Sequence, residues 1–226
     1  MTTYDQKSFQ LRAIRGTKLD ACGTVIHGLT STVVSKGVTK VTMSPTYESG
    51  TDYLVRNALD ELEINEQGIP PLRWWEVVIE FIRVDPYWIN IALGYPLVLD
   101  DNGTPNVVGW RAEEIDTASF ALEGWQSLAG EVCTLGAKPY GYRLLPWLIN
   151  PMINGDITLE NGVTSFAIKA HTHNGSPWGT GPYNVRLNST ATPSPLLTAI
   201  QPLQHFHWER VTLAPPTPAV GAQNLP

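Results

Sequence analysis

Two pairs of histidines have the spacing of metal ligands. One residue separates His171 from His173, and one separates His205 from His207. Because alternate residues of a β-strand project to the same side, each pair could present two imidazoles to one ion, and two such strands would form a four-histidine site. Histidines on the polar face of a strand, at a sheet edge or a subunit contact, have the same spacing. The sequence therefore predicts no metal or cofactor, with these four residues as the candidates for a metal site.

Two carboxylates beside tryptophans suggest a second kind of chemistry. Glu76 and Glu80 follow Trp74 and Trp75, as a glycosidase acid and base would follow a sugar-stacking platform. Four residues of strand separate two side chains by about 13 Å, however, whereas glycosidase carboxylates lie about 5 to 9.5 Å apart. Ion pairs with nearby arginines or a neighbouring subunit explain these carboxylates better. Since no nucleophile elbow, zinc-protease, paired-cysteine or phosphate-loop motif occurs elsewhere, we expect a protein without catalytic activity.

The eight tryptophans could instead form a carbohydrate-binding platform. Most of them lie in predicted strands or next to apolar runs, which favours packing in a core or an interface. A sugar-binding β-sandwich would need Trp110, Trp178 or Trp208 exposed in a concave patch. Carbohydrate binding therefore stays open as an alternative function.

The composition favours a subunit of an assembly. Charged residues make 16% of the 226 residues, against about 25% in a typical soluble domain, so other subunits are expected to cover part of the surface. The net charge of −6 argues against binding nucleic acid through its phosphates. The acids are concentrated in residues 41–131, which carry sixteen acids and four bases, whereas residues 1–40 carry six bases and two acids.

The two cysteines and the N-terminus indicate the compartment of assembly. Cys22 and Cys133 lie far apart, and the first ten residues contain no apolar run. We expect no signal peptide and no membrane span, assembly in a reducing cytoplasm, and two buried thiols instead of a disulfide.

Asn-Gly dipeptides predict antiparallel β-structure, because they supply the positive φ angles of two-residue hairpins. The clearest predicted hairpin pairs residues 157–160 with 163–173 across Asn161-Gly162, which places Ile157 opposite Phe166. One face of this hairpin is apolar and the other polar. The apolar face would carry Ile157, Leu159, Phe166, Ile168 and Ala170, and the polar face Lys169, His171 and His173.

The remaining strands and one helix define the fold class. Asp85 as cap, Pro86 at the first position and Gly94 after the last predict a helix over residues 87–93. The strand before it is apolar on both faces, which is typical of a strand covered on both sides. We predict a mainly β fold: an antiparallel β-sandwich or partial barrel flanked by one short α-helix, with a long inter-strand loop. The predicted strands are 9–15, 24–29, 38–43, 74–84, 119–125, 140–145 and 204–213.

Two segments fall outside this sandwich, which we assign to residues 1–213. Residues 44–72 form a long loop in which the spacing of Leu54, Ala58, Leu59 and Leu62 allows a short helix, although glycines and prolines interrupt it. Residues 214–226 are proline-rich and are predicted to form an extended arm that cannot join a sheet.

A set of short motifs in a fixed order resembles one family. The motifs are Arg73 to Val84, Val84-Asp85-Pro86, Gly94-Tyr95-Pro96, Phe120-Ala121-Leu122-Glu123-Gly124-Trp125, Gly130-Glu131-Val132-Cys133, Tyr140-Gly141-Tyr142 with Pro146, residues 154–162, and Trp178-Gly179-Thr180-Gly181-Pro182-Tyr183. Together they resemble the major tail protein, or tail tube subunit, of long-tailed bacteriophages with noncontractile (siphovirus-type) tails. The resemblance covers about residues 10 to 213.

The resemblance implies a structural virion protein of the phage tail-tube fold. Six copies would form a ring, and stacked rings would form a tube around the tape measure protein, between tail terminator and distal tail or baseplate proteins. Double-stranded DNA would pass through the lumen during ejection, without specific binding. The family's optional C-terminal immunoglobulin-like domain is not detectable in this sequence. A head–tail connector or head decoration protein would share the phage context and the fold, and is the alternative.

The resemblance also implies that residues 44–72 contact the next ring and that the tube encloses DNA. An acidic bore would let DNA slide, because duplex DNA carries one negative charge per about 1.7 Å. The competing interpretation pairs the acids with the basic residues Arg12, Arg15, Lys18, Lys36 and Lys40 at ring contacts. The candidate inter-ring residues are Glu48, Tyr53, Arg56, Leu59 and Leu62. The candidate lumen-facing acids are Asp52, Asp60, Glu61, Glu63, Asp100, Asp101 and Glu160.

Overall fold

The computed structural model describes residues 7–101, 103–130, 133, 138–157, 161 and 165–225. Within them the chain forms fifteen strands and one helix. In chain order these are β1 (Ser8–Leu19), β2 (Gly28–Ser35), β3 (Val38–Tyr47), β4 (Asp52–Arg56), β5 (Leu62–Gln67), β6 (Leu72–Phe81), α1 (Pro86–Leu93), β7 (Leu97–Leu99), β8 (Val107–Trp110), β9 (Ser119–Leu128), β10 (Tyr140–Ile153), β11 (Phe166–Thr172), β12 (Arg186–Leu187), β13 (Pro193–Ser194), β14 (His207–Val211) and β15 (Gln223–Leu225).

One nine-stranded antiparallel sheet organises the fold. Its order is β15-β2-β1-β9-β10-β11-β6-β3, and β14 also pairs with β10. The long strand β10 divides the sheet, because Tyr140 to Leu144 pair with β14 whereas Leu148 to Ile153 pair with β11. Pro146 lies at the division, where a residue without an N–H cannot donate to a neighbouring strand. The sheet has two ends, β15 and β3, and is therefore open.

Apolar side chains cover both faces of the sheet. On one face α1 packs against both halves of the sheet, and its Trp88 is fully buried. The Trp88 ring lies against Gly16, where an added Cβ would stand 2.6 Å from it, so only glycine fits. On the other face Trp125 and Tyr142 pack under Trp178 from the segment after β11. The central strand β9 is accordingly buried on both sides, as a strand between two layers must be.

These observations confirm the predicted fold class: mainly β, antiparallel, sandwich-like, with one short helix. The helix signals are also confirmed. The carboxylate of Asp85 accepts the Tyr87 N–H at 3.0 Å, Pro86 is the first helical residue, and Gly94 adopts the left-handed conformation at φ 77°. Strands 9–15, 38–43, 119–125 and 140–145 lie inside longer observed strands, whereas the predicted strand 24–29 is wrong because β2 begins at Gly28.

The predicted hairpin over 157–173 is wrong in its pairing. The strand β11 pairs with β10 through Ile153 and Ile168, and with β6 through Phe81 and Phe166. Ile157 is half exposed and outside the ladder. The two faces of β11 are as expected: Phe166, Ile168 and Ala170 are buried, and Lys169 and His171 are partly exposed. Part of the predicted turn, including Leu159, Glu160 and Gly162, lies outside the described residues.

The prediction for the proline-rich arm is also wrong. Residues 214–222 run along the molecule without a strand, but β15 then pairs antiparallel with β2. Leu225 is 2% exposed, and the Gly221 N–H donates to the Asp85 carboxylate at 2.6 Å. The arm reaches a sheet edge because its prolines precede the paired residues. It covers the β2 edge of its own chain.

The cysteine prediction needs a correction as well. Cys22 and Cys133 are free, as expected, but both are exposed and neither is a buried thiol. Cys22 lies in the turn after β1, where its N–H donates to the Asp20 carboxylate.

Candidate functional site

The chief candidate site is a hairpin that extends beyond the sheet. Strands β4 and β5 pair with each other and are joined by residues 57–61; we call these residues, 52–67, the projecting hairpin. It continues the β3–β6 pair through two backbone bonds, Glu48 N–H to Pro71 O and Gly68 N–H to Thr51 O, both 3.0 Å. The backbones of Gly50 and Gly68 approach so closely that a Cβ on Gly50 would stand 2.0 Å from the Gly68 carbonyl oxygen. Position 50 therefore requires glycine.

Every residue of β4 and β5 is exposed, including the apolar ones. Tyr53 pairs with Glu66 and Val55 with Ile64, so Tyr53, Val55 and Ile64 share one face. An isolated two-stranded hairpin is marginally stable in water. A hairpin with an apolar face turned to solvent is therefore typical of a segment that packs against another molecule.

The tip of the projecting hairpin has a defined conformation. The Asn57 side-chain oxygen accepts the N–H groups of Leu59 and Glu61, both at 2.9 Å, and its amide donates to the Glu61 carboxylate. Asp60 adopts a positive φ of 64°, which closes the turn, and its carbonyl accepts from Arg56 at 2.8 Å. These bonds hold Leu59 outward with its side chain 80% exposed.

The prediction of a long loop over residues 44–72 needs a correction. Residues 44–47 belong to β3, Leu72 begins β6, and the middle is a hairpin without the short helix that the leucine spacing allowed. Among the candidate inter-ring residues, Tyr53, Leu59 and Leu62 are exposed. Arg56 and Glu48 form exposed ion pairs within the chain, to Asp60 at 3.4 Å and Arg73 at 3.8 Å.

The candidate lumen-facing acids divide between two hairpins. Asp52, Asp60, Glu61 and Glu63 lie on the projecting hairpin and are exposed. Asp100 and Asp101 lie at the turn between β7 and β8, where Asp100 accepts the Asn106 N–H at 2.7 Å and thereby holds the turn. Glu160 lies outside the described residues. The six acids that the structure describes therefore lie on two separate hairpins.

The basic residues considered as partners of the acids at ring contacts differ in burial and in their contacts within the chain. Arg12 donates to Ser127, and Lys40 forms an exposed ion pair with Glu80 at 3.3 Å. Lys18 is partly exposed and Lys36 is exposed. Arg15 is buried and bonded within its own chain, so it cannot form the ring contact considered for it.

Arg15 belongs to a buried polar cluster in the sheet. It pairs with Glu123 across β1 and β9, with Nε and Nη2 at 2.5 and 2.7 Å from the carboxylate oxygens. Tyr142 donates its hydroxyl to the same carboxylate at 2.7 Å, and Tyr183 lies against the guanidinium, 3.3 Å from its ring centroid. Burial raises the pKa of Tyr142 well above its ordinary value, and the Glu123 charge raises it further. The cluster is buried inside the subunit, so it takes no part in a contact with another molecule.

The four candidate histidines do not come together as a metal site. His171 lies 3.9 Å from the Glu76 carboxylate, and His205 Nδ1 lies 2.9 Å from the Thr172 hydroxyl. His207 is on β14, 3.5 Å from Glu209. Within the described part of the chain, no group of three or more metal-binding side chains converges. Burial lowers the pKa of His205, and His173 nearby lowers it further.

The other chemical candidates are also dispersed. Glu76 forms an ion pair with Lys169 at 2.8 Å, and Glu80 forms one with Lys40. Both carboxylates are therefore paired, as expected, but their partners are lysines and not the expected arginines. Trp178 is buried and Trp110 stacks on Tyr95. Trp208 alone of the three tryptophans considered for sugar binding is exposed. They do not form the concave patch that this alternative needs.

Two further features were not found from the sequence. The outer edge of β3 pairs with no described strand, so its backbone groups are open to another chain. An apolar groove of about 650 Å³ lies between β3 and the β1–β9–β10 layer. Its walls come from distant parts of the chain, and no local pattern could have predicted it.

Comparison with known proteins adds no relative to this picture. No protein family model matches the chain, and no curated protein matches it in sequence. Within the described residues, no helix has the length and apolar character needed to span a bilayer.

Proposed function

We propose that this chain is a tail tube subunit of a long-tailed, noncontractile bacteriophage. In this proposal the subunits form hexameric rings that stack into a tube, and the tube conducts DNA into the host. The single observation that carries the proposal is the projecting hairpin, an exposed and partly apolar two-stranded element that the described residues of the subunit do not bury. The resemblance of the sequence motifs supplies the family.

The hairpin suits contact along the tube axis. Burying one Val, Leu or Ile side chain contributes about 1.5–3 kcal/mol, so packing Val55 and Ile64, which share one face, and the tip residue Leu59 against a neighbour would stabilise a stacked ring considerably. Because the hairpin and its receptor are different surfaces of the same chain, the contact is heterologous. Contacts of that kind propagate into a filament unless a rotation closes them.

The open edge of β3 suits contact within a ring. Unpaired strand edges are satisfied by strand addition from a neighbour, and the exposed Thr39 and Lys40 lie on this strand. The opposite end of the sheet order is the three-residue strand β15, whose outer edge also pairs with no described strand. Two different edges on one chain allow a head-to-tail contact, which forms a ring when the rotation closes.

The acids support passage of DNA if they line the bore. Sixfold symmetry would repeat each carboxylate of Asp52, Asp60, Glu61 and Glu63 six times per ring, and salt would screen this field only beyond about 8 Å. Replacing lumen-facing acids with lysine would then leave tubes intact and slow DNA ejection, more so at low salt. If these acids form ring contacts instead, the same substitutions would block tube formation.

Negative-stain microscopy of the purified protein, alone and with an initiating tail-tip complex, tests the proposal. Long hollow tubes with sixfold cross-sections are the expected result. Isolated rings that never stack would favour the head–tail connector alternative. A chain that stays monomeric at high concentration, with and without the tail-tip complex, would refute the tail tube proposal.

A further inference from the structure

The groove between β3 and the β1–β9–β10 layer has the character of a binding site. It opens where the sheet does not close, since residues of β1 and β3 both line it although the two strands do not pair. Its volume, about 650 Å³, is in the range of ligand and peptide sites. The apolar side chains that line it include Leu11, Val41, Met43, Trp75, Phe206 and Trp208.

The charged residues that line the groove are both cationic. They are Lys40, which is paired with Glu80 on the outside of the sheet, and Arg143. The Arg143 guanidinium lies over the Trp208 ring, 4.3 Å from its centroid. No carboxylate of the described residues forms an ion pair with Arg143, and burial lowers its pKa. A half-buried cation without an anionic partner is costly, and a carboxylate from another molecule would relieve that cost.

The tip of the projecting hairpin has the complementary chemistry. Leu59 is the most exposed apolar residue of the projecting hairpin, Asp60 and Glu61 follow it in the tip, and Glu63 lies nearby on β5. Residues 52–67 carry five carboxylates and Arg56 as the single base. An apolar side chain next to acids therefore complements an apolar groove whose charged lining residues are cationic.

We propose that the groove receives the projecting hairpin of a second copy of this chain, with Leu59 among the apolar side chains and the tip carboxylates facing Arg143. This inference rests on the proposed assembly and names the receptor surface for it. The tip is exposed in its own chain, so the groove belongs to a neighbour. Each subunit would then carry both the inserting hairpin tip, which we call the plug, and the receiving groove, which we call the socket. Such a heterologous contact allows rings to stack without limit.

Substitutions at the plug test the proposal without disturbing the fold. Leu59→Asp alters a side chain that is 80% exposed, and the control Leu29→Asp alters one that is 78% exposed on β2, away from the hairpin and the groove. Sedimentation measures the concentration at which half of the protein is assembled. We expect Leu59→Asp to raise this concentration by about tenfold or more and Leu29→Asp to leave it unchanged.

A charge exchange tests the pairing of plug and socket. We expect Arg143→Glu alone, or Glu63→Arg alone, to raise the half-assembly concentration by about tenfold, and the two together to restore it to within a few fold. Arg83→Glu, on an exposed arginine outside the groove, is the matched control. Because Arg143→Glu puts a carboxylate beside Trp208, thermal unfolding checks its fold, and Arg143→Gln serves as a milder variant with a smaller expected loss.

The outcomes separate this inference from the proposed function. If the wild type never assembles, either alone or with the tail-tip complex, the proposed function is refuted. If deletion of residues 50–68 blocks assembly while Leu59→Asp and Arg143→Gln assemble at the wild-type concentration, the hairpin docks elsewhere and only the socket is refuted. Failure of the charge exchange to restore assembly also overturns the socket. Quenching of tryptophan fluorescence by maltohexaose or chitohexaose, abolished by Trp208→Ala, would assign the groove to glycans instead.

Discussion

The buried ion pair between Arg15 and Glu123 should be the most sensitive polar contact in the fold. Glu123 is fully buried and accepts three hydrogen bonds, two from Arg15 and one from Tyr142. Burial alone would lower the pKa of Arg15, but the Glu123 carboxylate outweighs burial and raises it. Glu123→Ala would leave a guanidinium with 8% side-chain exposure and no carboxylate partner.

The expected cost of Glu123→Ala follows from this geometry. Removing one partner of a buried ion pair typically destabilises a protein by about 3–5 kcal/mol, because the other charge stays buried. For a chain of this size, 1 kcal/mol lowers the Tm by about 2–4 °C, so we expect a fall of roughly 6–20 °C. Replacing both partners, as in Arg15→Met with Glu123→Leu, should return the stability to within about 1–2 kcal/mol of the wild type.

Urea unfolding of Glu123→Ala and of the double variant, followed by tryptophan fluorescence, measures these differences. Lys40→Met is the matched control, because its pair with Glu80 is exposed and should contribute less than about 1 kcal/mol. The reasoning is refuted if Glu123→Ala costs less than about 1 kcal/mol. It is equally refuted if the double variant is as unstable as Glu123→Ala, since the penalty would then not come from the unpaired arginine.

Three further predictions concern separate parts of the subunit. Replacing residues 50–68 with a two-residue Asn-Gly turn should change the Tm by less than about 4 °C, since β4 and β5 are exposed throughout; a larger fall would mean that the hairpin is part of the core. Asp85→Ala should cost about 1–2 kcal/mol by urea unfolding, through loss of the helix cap and of the bond that holds the arm, and an unchanged midpoint would contradict it. Burial lowers the pKa of His205 below 6.5, so as the pH falls this histidine is protonated in the unfolded chain before it is protonated in the folded one. The free energy of unfolding should therefore decrease as the pH drops below about 7, and His205→Gln should reduce this pH dependence. An equal pH dependence of the free energy of unfolding in both proteins would contradict the prediction.

Local signals were sufficient for the elements that depend on neighbouring residues. The cap at Asp85, the proline after it and the left-handed Gly94 define α1 without help from the rest of the fold. Alternation of apolar and polar residues likewise located β11 and its buried face. Its partner strand was mistaken because the Asn161-Gly162 turn signal favoured a local hairpin, whereas the observed partners β10 and β6 are more distant.

Long-range contacts account for what the sequence could not indicate. Arg15 and Glu123 are 108 residues apart, and nothing local marks either of them as buried. The groove joins side chains from six strands or their flanks, and the arm reaches β2 from the far end of the chain. The projecting hairpin could have been predicted from the sequence, because Leu62 and Ile64 alternate with acids as strand residues do. The spacing of the leucines also fitted a helix, however, and the local pattern alone did not decide between the two.

Sedimentation velocity of the wild type and of the variant lacking residues 50–68, with and without the tail-tip complex and across a wide concentration range, tests whether the projecting hairpin drives assembly. We expect the wild type to form large, concentration-dependent assemblies, whereas the variant, folded by circular dichroism, should not stack. A wild type that sediments as a monomer at every concentration even with the tail-tip complex, or a variant that assembles as well as the wild type, would refute the proposal.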